Sequence, residues 1–221
     1  MIDVTLPYAV VLADGEQPEH TVPVRLLQEA PYVVCCDRAI LHCDWADAVV
    51  GDGDSIPSWA KEEYECIFHK ESEQEDNDLT KATRFCLSKG YNRIVYLGAT
   101  GLREDHTLGN ISLLMRYART MCVEPMMVTN YGWFVPVVRP KVECIKTGES
   151  EHQLYARQFE SFPGQQVSLF NFGCSCFRTQ GLVYDGYPFT EWWQGTLNEA
   201  TNDSFTIEAD GDYLVYRTHE K

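Results

Sequence analysis

Short apolar runs and helical periods alternate through the first part of the chain. The runs "YAVVLAD", "YVVCCD", "DAVVGD", "ECIFHK", "RIVYLGA" and "EPMMVTN" predict strands. Between them "VPVRLLQEA", "SIPSWAKEE", "DLTKATRFCLSKG" and "DHTLGNISLLMRYART" space their apolar residues three and four apart and predict helices. Strands that are apolar on both faces and separated by helices predict an α/β fold, a mainly parallel sheet with helices on both faces. In such sheets ligands gather outside the carboxyl ends of the strands. Asp14, Asp37, Asp52 and Asp54 close the first three runs and fall at that edge.

Beyond about Asn130 the texture changes. "GWFVPVVRPKVECIKT", "QQVSLFNFG", "GLVYDGYPF" and "DSFTIEADGDYLVYRTH" are strand-like runs broken by Gly, Pro and Asn-Asp turns, with no helical period. The pattern predicts an α/β domain over 1–130 and a smaller all-β sandwich over 131–221. "FTIEA" and "YLVYR" around Asp210-Gly211-Asp212 read as a hairpin.

Charge narrows the function. Among 221 residues, 33 acidic against 18 basic give a formal charge of −15. Such a field repels a nucleic-acid backbone and favours a cationic substrate. A small anion then needs a metal or local cations to reverse the sign inside a cleft. No apolar run approaches the roughly 20 residues needed to span a bilayer, which predicts a soluble, cytoplasmic protein. Nine cysteines without paired C-x-x-C spacing read as reduced thiols in preference to disulfides or a zinc site.

Three segments concentrate charge. In Gly51-Asp52-Gly53-Asp54-Ser55 two carboxylates at a strand end suit Mg²⁺, which takes one or two carboxylates plus substrate phosphates; the same residues also suit a turn and a helix cap. In "SEQEDNDLTKA" Asp78 and Lys81 lie three apart on a first helical turn, above a buried stripe of Leu79, Ala82 and Cys86. That pair could hold a metal and a phosphate, or simply decorate a helix N-terminus with acid. In "LGATGLREDHTLGNISLL" Arg103 offers a forked phosphate donor where a helix begins, and Asp105 and His106 follow it as candidate site or capping residues. If all three loops converge on one sheet edge, their carboxylates require a cation, and the chemistry is phosphoryl or pyrophosphoryl transfer. No Walker or protein-kinase signature is present.

The ordered motifs "GDGDSI", "QEDNDLTKA" and "GATGLREDHTLGNI" resemble those of the thiamine pyrophosphokinase (thiamine diphosphokinase) family, with weaker echoes in "ADGEQP", "GLVY" and "LNE". The resemblance spans nearly the whole chain. It implies an α/β domain followed by a β-sandwich, a homodimer, and Mg²⁺-dependent transfer of a diphosphate from ATP to the hydroxyl of thiamine with release of AMP. It further implies that Asp52, Asp54 and Asp78 ligate or orient Mg²⁺. Gln74, Lys81 and Arg103 would hold the polyphosphate, with Asp37 and His106 also at the nucleotide. Asp105 would assist proton removal, and Thr196 and Asn198 would meet thiamine. Trp192 or Trp193 could wall its pyrimidine or lie in the sandwich core. The thiazolium cation of thiamine suits a carboxylate-rich mouth.

The chain departs from the family pattern at Leu102, in place of a Gly; at Leu197, in place of a Ser; at Gly53, where Phe is frequent; and at "CDRAI", 36–40, in place of a glycine-rich turn. A D-x-D nucleotide-sugar transferase and a non-catalytic thiamine-binding module are the competing readings.

Overall fold

A computed structural model describes residues 6–73, 75–139 and 154–220. Its backbone divides into two compact units, 2–130 and 131–221.

The first unit runs β1 (Ala9–Leu12), α1 (Thr21–Gln28), β2 (Tyr32–Cys36), β3 (Ala48–Gly51), α2 (Ser58–Glu63), β4 (Phe68–Lys70), α3 (Asp78–Ser88), β5 (Arg93–Leu97), α4 (Glu104–Thr120) and β6 (Glu124–Val128). Its strands are ordered β6-β5-β1-β2-β3-β4, and every pair is parallel. Burial explains the continuous apolar runs, since β1 and β3 are buried at all four positions. The chain steps outward from β1 through β2, β3 and β4, then returns to β1's other side with β5. The gap between β1 and β5 is thus the topological switch point, where doubly wound sheets open a crevice.

α3 is set by local chemistry. Asn77 caps it, accepting the Thr80 N–H at 3.0 Å and the Thr80 hydroxyl at 2.9 Å. Leu79, Ala82, Thr83 and Cys86 form its buried stripe. Two hydroxyl pairs lock it in place: Thr80 Oγ1 meets Tyr117 Oη at 2.7 Å, and Thr83 Oγ1 meets Tyr96 Oη at 2.8 Å. The start of α3 is therefore tied to β5 and α4.

The second unit carries β7 (Gly132–Val137), β8 (Tyr155–Glu160), β9 (Gln166–Asn171), β10 (Phe177–Gln180), β11 (Asn198–Glu199), β12 (Ser204–Ala209) and β13 (Tyr213–Thr218). One antiparallel layer is β11-β9-β13-β7 and another is β10-β12-β8. Phe159, Phe177, Phe205 and Ile207 of the three-stranded layer share a core with Val167, Leu169, Tyr213 and Val215 of the other. The fold class is as expected, a mainly parallel sheet with helices and a separate smaller antiparallel domain.

The hairpin expectation fails. β12 pairs with β8 and β10, whereas β13 pairs with β7 and β9, so Asp210-Gly211-Asp212 carries the chain from one layer to the other. The Asp210 carboxylate is taken by the N–H groups of Ser175 and Cys176, both at 2.9 Å, which fastens the bend to the 173–176 loop. "GLVYDGYPF" is mostly irregular as well, with only Leu182 bridging to Ala200.

Candidate active site

A cavity of about 350 Å³ opens at the switch point. Ala13–Gly15 after β1, Cys36–Arg38 after β2 and Gly98–Thr100 after β5 line it, together with the first turns of α3 and α4. The N–H groups of Ala13, Gly15 and Glu16 donate to the carbonyls of Leu97, Gly98 and Thr100, which continues the β1–β5 pairing into the cavity floor.

Asp37 forms one wall. It is 5% exposed and its backbone has φ 41°, a left-handed conformation that costs a non-glycine residue on the order of 1–3 kcal/mol. Its Oδ1 accepts the Gly53 N–H at 3.1 Å, and its Oδ2 accepts the Ser55 hydroxyl at 3.2 Å. Burial raises its pKa and the charge of Asp78 raises it further, while the Gly53 and Ser55 hydrogen bonds oppose them. Gly51 must be glycine, because a Cβ there would stand 1.9 Å from Asp37 Oδ1. Gly53 has φ +81°, and a Cβ on it would meet Phe68 Cζ at 2.9 Å. The ring from β4 therefore fills the space that the missing side chain leaves.

Asp78 lines the cavity at the start of α3, and Lys81 Nζ donates to its Oδ1 at 3.1 Å. Lys81 is 2% exposed. Burial disfavours its charge, but the hydrogen bond and charge of Asp78, with the charges of Asp52 and Glu73, outweigh that and leave its pKa raised. Asp52 is half-buried and its Oδ1 accepts the Asp54 N–H at 3.0 Å; Asp54 is exposed. Asp37, Asp52, Asp78 and Lys81 thus form one electrostatic group.

Arg103 and His106 line the opposite side, where α4 begins. Arg103 forks onto Asp105, Nε to Oδ1 at 3.1 Å and Nη2 to Oδ2 at 2.6 Å, and both side chains are exposed. The hydrogen bond from Arg103 holds the Asp105 pKa below the usual carboxylate range. Gln74 lies outside the described residues.

Three further residues contribute: sequence reasoning gave Asn110 no role, placed Asp14 at this edge without a partner, and read Ser55 only as part of a loop or cap. Asn110 donates to the Ala99 carbonyl at 2.8 Å and accepts from Asn77 Nδ2 at 3.3 Å, joining α4, the β5 loop and the α3 cap. Asp14 stands at the mouth, 3.0 Å from His42 Nε2 and 3.8 Å from Arg38 Nε. Ser55 fixes Asp37. Asn110 was visible only as part of "GNI", since a polar residue inside a helical period has no signal of its own.

In the second unit Thr196 is exposed and its hydroxyl donates to the Trp193 carbonyl at 2.8 Å. Asn198 is 6% exposed, and its amide is engaged with the Tyr184 backbone, donating at 2.8 Å and accepting at 3.1 Å. It holds the bend at Tyr184 instead of facing solvent. Between them Leu197 has φ 61° and is 74% exposed. Trp193 is 72% exposed, and Trp192 also reaches the surface against Phe170 and Phe172. Neither tryptophan is in the core.

Among the described residues no group of three or more His, Cys, Asp or Glu is gathered to hold a metal ion unaided, and every described cysteine is a free thiol. No helix among them is long and apolar enough to cross a membrane.

Two family models match the chain. Thiamin pyrophosphokinase, catalytic domain, matches residues 24–124, and thiamin pyrophosphokinase, substrate-binding domain, matches residues 154–216. The chain belongs to the thiamin pyrophosphokinase family. It carries that family's catalytic domain, with the cavity's β2, α3 and α4 walls inside it, followed by the family's substrate-binding domain. Among solved structures, thiamin pyrophosphokinase from Candida albicans is 18% identical with a TM-score of 0.72, over 96% of this chain and 89% of that one. Yeast thiamin pyrophosphokinase is 14% identical with a TM-score of 0.74, over 96% and 86%. A probable thiamine pyrophosphokinase from Staphylococcus saprophyticus is 20% identical with a TM-score of 0.67, over 96% and 100%. These likenesses show the shared fold. No curated protein matches the chain in sequence.

Proposed function

We propose that this member of the thiamin pyrophosphokinase family moves a diphosphate group from Mg-ATP to the hydroxyl of thiamine and releases AMP, acting as a cytoplasmic homodimer of chains with a 1–130 catalytic domain and a 131–221 thiamine-binding and dimerisation domain. The observation that carries the reading is the cavity at the β1–β5 switch point, where Asp78, paired to buried Lys81 beside Asp37 and Asp52, and Arg103 line one space.

The donor set fits Mg²⁺. Asp52, Asp54 and Asp78 would hold it with the phosphates of ATP supplying the remaining oxygens, as this ion prefers. The raised pKa of Asp37, pushed up by burial and by Asp78, marks an excess of negative charge that a cation relieves. Bound there, Mg²⁺ neutralises charge on the polyphosphate. Lys81 is held charged and orients a phosphate oxygen. Arg103 turns its fork from Asp105 to the transferring group at the start of α4. Losing that partner lets the Asp105 pKa rise, which makes it a better acceptor for the thiamine hydroxyl proton. Gln74, Asp37 and His106 complete the nucleotide contacts. On the second domain, Thr196 and the exposed Trp192 and Trp193 offer thiamine a hydroxyl and an aromatic wall, with Asn198 fixing the bend beside them.

A nucleotide-sugar transferase would leave the Asp78–Lys81 pair and Arg103 without a role, and a non-catalytic module would not need them in one cavity. The test is incubation with Mg-ATP and thiamine while phosphorus species are followed. AMP appears in step with thiamine diphosphate; ADP, or turnover indifferent to thiamine, overturns the reading.

A further inference from the structure

Between β4 and α3 runs a segment in which Glu71, Glu73 and Asp76 turn their side chains onto two arginines. Arg84, on α3, reaches three of them. Its Nη1 bonds Asp76 Oδ2, and its Nη2 lies 3.0 Å from Glu73 Oε2 and 3.5 Å from Glu71 Oε2. Arg116, on α4, takes the other Asp76 oxygen at 2.8 Å. Glu73 Oε1 in turn accepts the N–H groups of Glu75 and Asp76. These residues lie outside the cavity lining.

The segment connects the two halves of the carboxylate group. At one end the Glu71 N–H donates to the Gly51 carbonyl at 2.8 Å, next to Asp52; at the other it delivers the Asn77 cap and Asp78. Glu73 is near enough to act on the charge of Lys81. With Arg84 removed, Glu71, Glu73 and Asp76 lose a shared counter-ion, and of these Glu73 acts on the buried Lys81 ammonium. Like charges there repel a polyphosphate, and Glu73 competes with it for Lys81.

We propose that Arg84, assisted by Arg116, is a positioning residue for the polyphosphate: it holds the carboxylates of the 71–76 segment away from Lys81 and the Asp52–Asp78 group. This inference rests on the function proposed above for the cavity, but its test does not require turnover. Mg-ATP affinity is measured by calorimetry on the full chain, with thiamine-dependent AMP release by the wild type assayed on the same preparation. Arg84→Gln weakens Mg-ATP about tenfold, the order expected for unpaired charges near a surface. Adding Glu73→Gln to Arg84→Gln regains most of that loss, and raising KCl to 0.5 M narrows the remaining gap because salt screens the freed carboxylates. Arg84→Lys, which keeps the charge without the fork, falls between.

A merely structural role would lower the melting temperature of Arg84→Gln without rescue by Glu73→Gln. Mg-ATP affinity within twofold of wild type in Arg84→Gln, or a double variant no better than the single, overturns the inference. Should Arg84→Gln fail to fold, an Arg84→Lys affinity equal to wild type at low salt overturns it equally. A wild type that binds Mg-ATP but releases no thiamine-dependent AMP counts against the proposed function, while the affinity ratios still decide the role of Arg84.

Discussion

At the scale of single residues, the D-G-D loop works through what is missing from it. Gly51 makes room for Asp37, and Gly53 takes a left-handed turn against Phe68 so that its N–H reaches the Asp37 carboxylate. Gly53→Ala places a Cβ 2.9 Å from the Phe68 ring at φ +81°, which costs on the order of 1–3 kcal/mol. Turnover falls with it as Asp37 loses its donor, and a variant with wild-type melting temperature and rate would contradict this geometry. Asp78 gives a second test. Mg²⁺ at 100 times its Kd stabilises a protein that binds it only when folded by about 2.7 kcal/mol. MgCl₂ therefore raises the melting temperature of the wild type, and Asp78→Asn loses most of that rise; an equal rise in both would remove Asp78 from the metal site. Asp54→Asn lowers kcat by at least about 100-fold, as loss of a charge-stabilising group does, while its circular dichroism is unchanged.

The motif residues were legible at this scale because chemistry demands their types. Aspartates, a lysine and an arginine at strand ends and helix starts announce a charged site in a chain that otherwise buries Val, Ile and Cys there. Asn110 and Ser55 carry no such signal, since each acts by hydrogen bonding to a partner more distant in sequence. Asn198 shows the mirror image: a family motif places it at thiamine, while its amide bonds to the Tyr184 backbone carry no signal in the sequence.

At the scale of elements, α3 sets the position of Asp78 and Lys81, and its own position depends on two buried hydroxyl pairs. Thr83→Val keeps the side-chain shape but leaves the fully buried Tyr96 hydroxyl without Thr83, which costs about 1–3 kcal/mol. Adding Tyr96→Phe recovers most of that loss, because removing both partners is nearly neutral. Chemical denaturation of the single and double variants reads this directly, and a double variant less stable than Thr83→Val would refute it. α3 and α4 were legible from their apolar spacing. The β12–β13 connection was not, because Asp-Gly-Asp between two apolar strands signals a turn without saying whether the strands pair. Here the Asp210 side chain ties the turn to Ser175 and Cys176, and the strands separate into two layers.

At the scale of the molecule, the formal charge of −15 has a kinetic consequence. A carboxylate-rich surface gathers a thiazolium cation, and salt screens that attraction over a Debye length of about 10 Å at 0.1 M. The kcat/KM for thiamine falls as KCl rises from about 0.02 to about 0.5 M, across which the Debye length shrinks severalfold, and a salt-independent value would show that the net charge plays no part. In the proposed reaction the cavity between β1 and β5 passes a diphosphate as one unit to thiamine. The most direct measurement uses ATP labelled at the β- and γ-phosphorus, with Mg²⁺ and thiamine, and follows where both labels go. Both are predicted to appear together in thiamine diphosphate, with unlabelled AMP formed in equal amount; label in ADP or in free phosphate, with none on thiamine, would contradict the account.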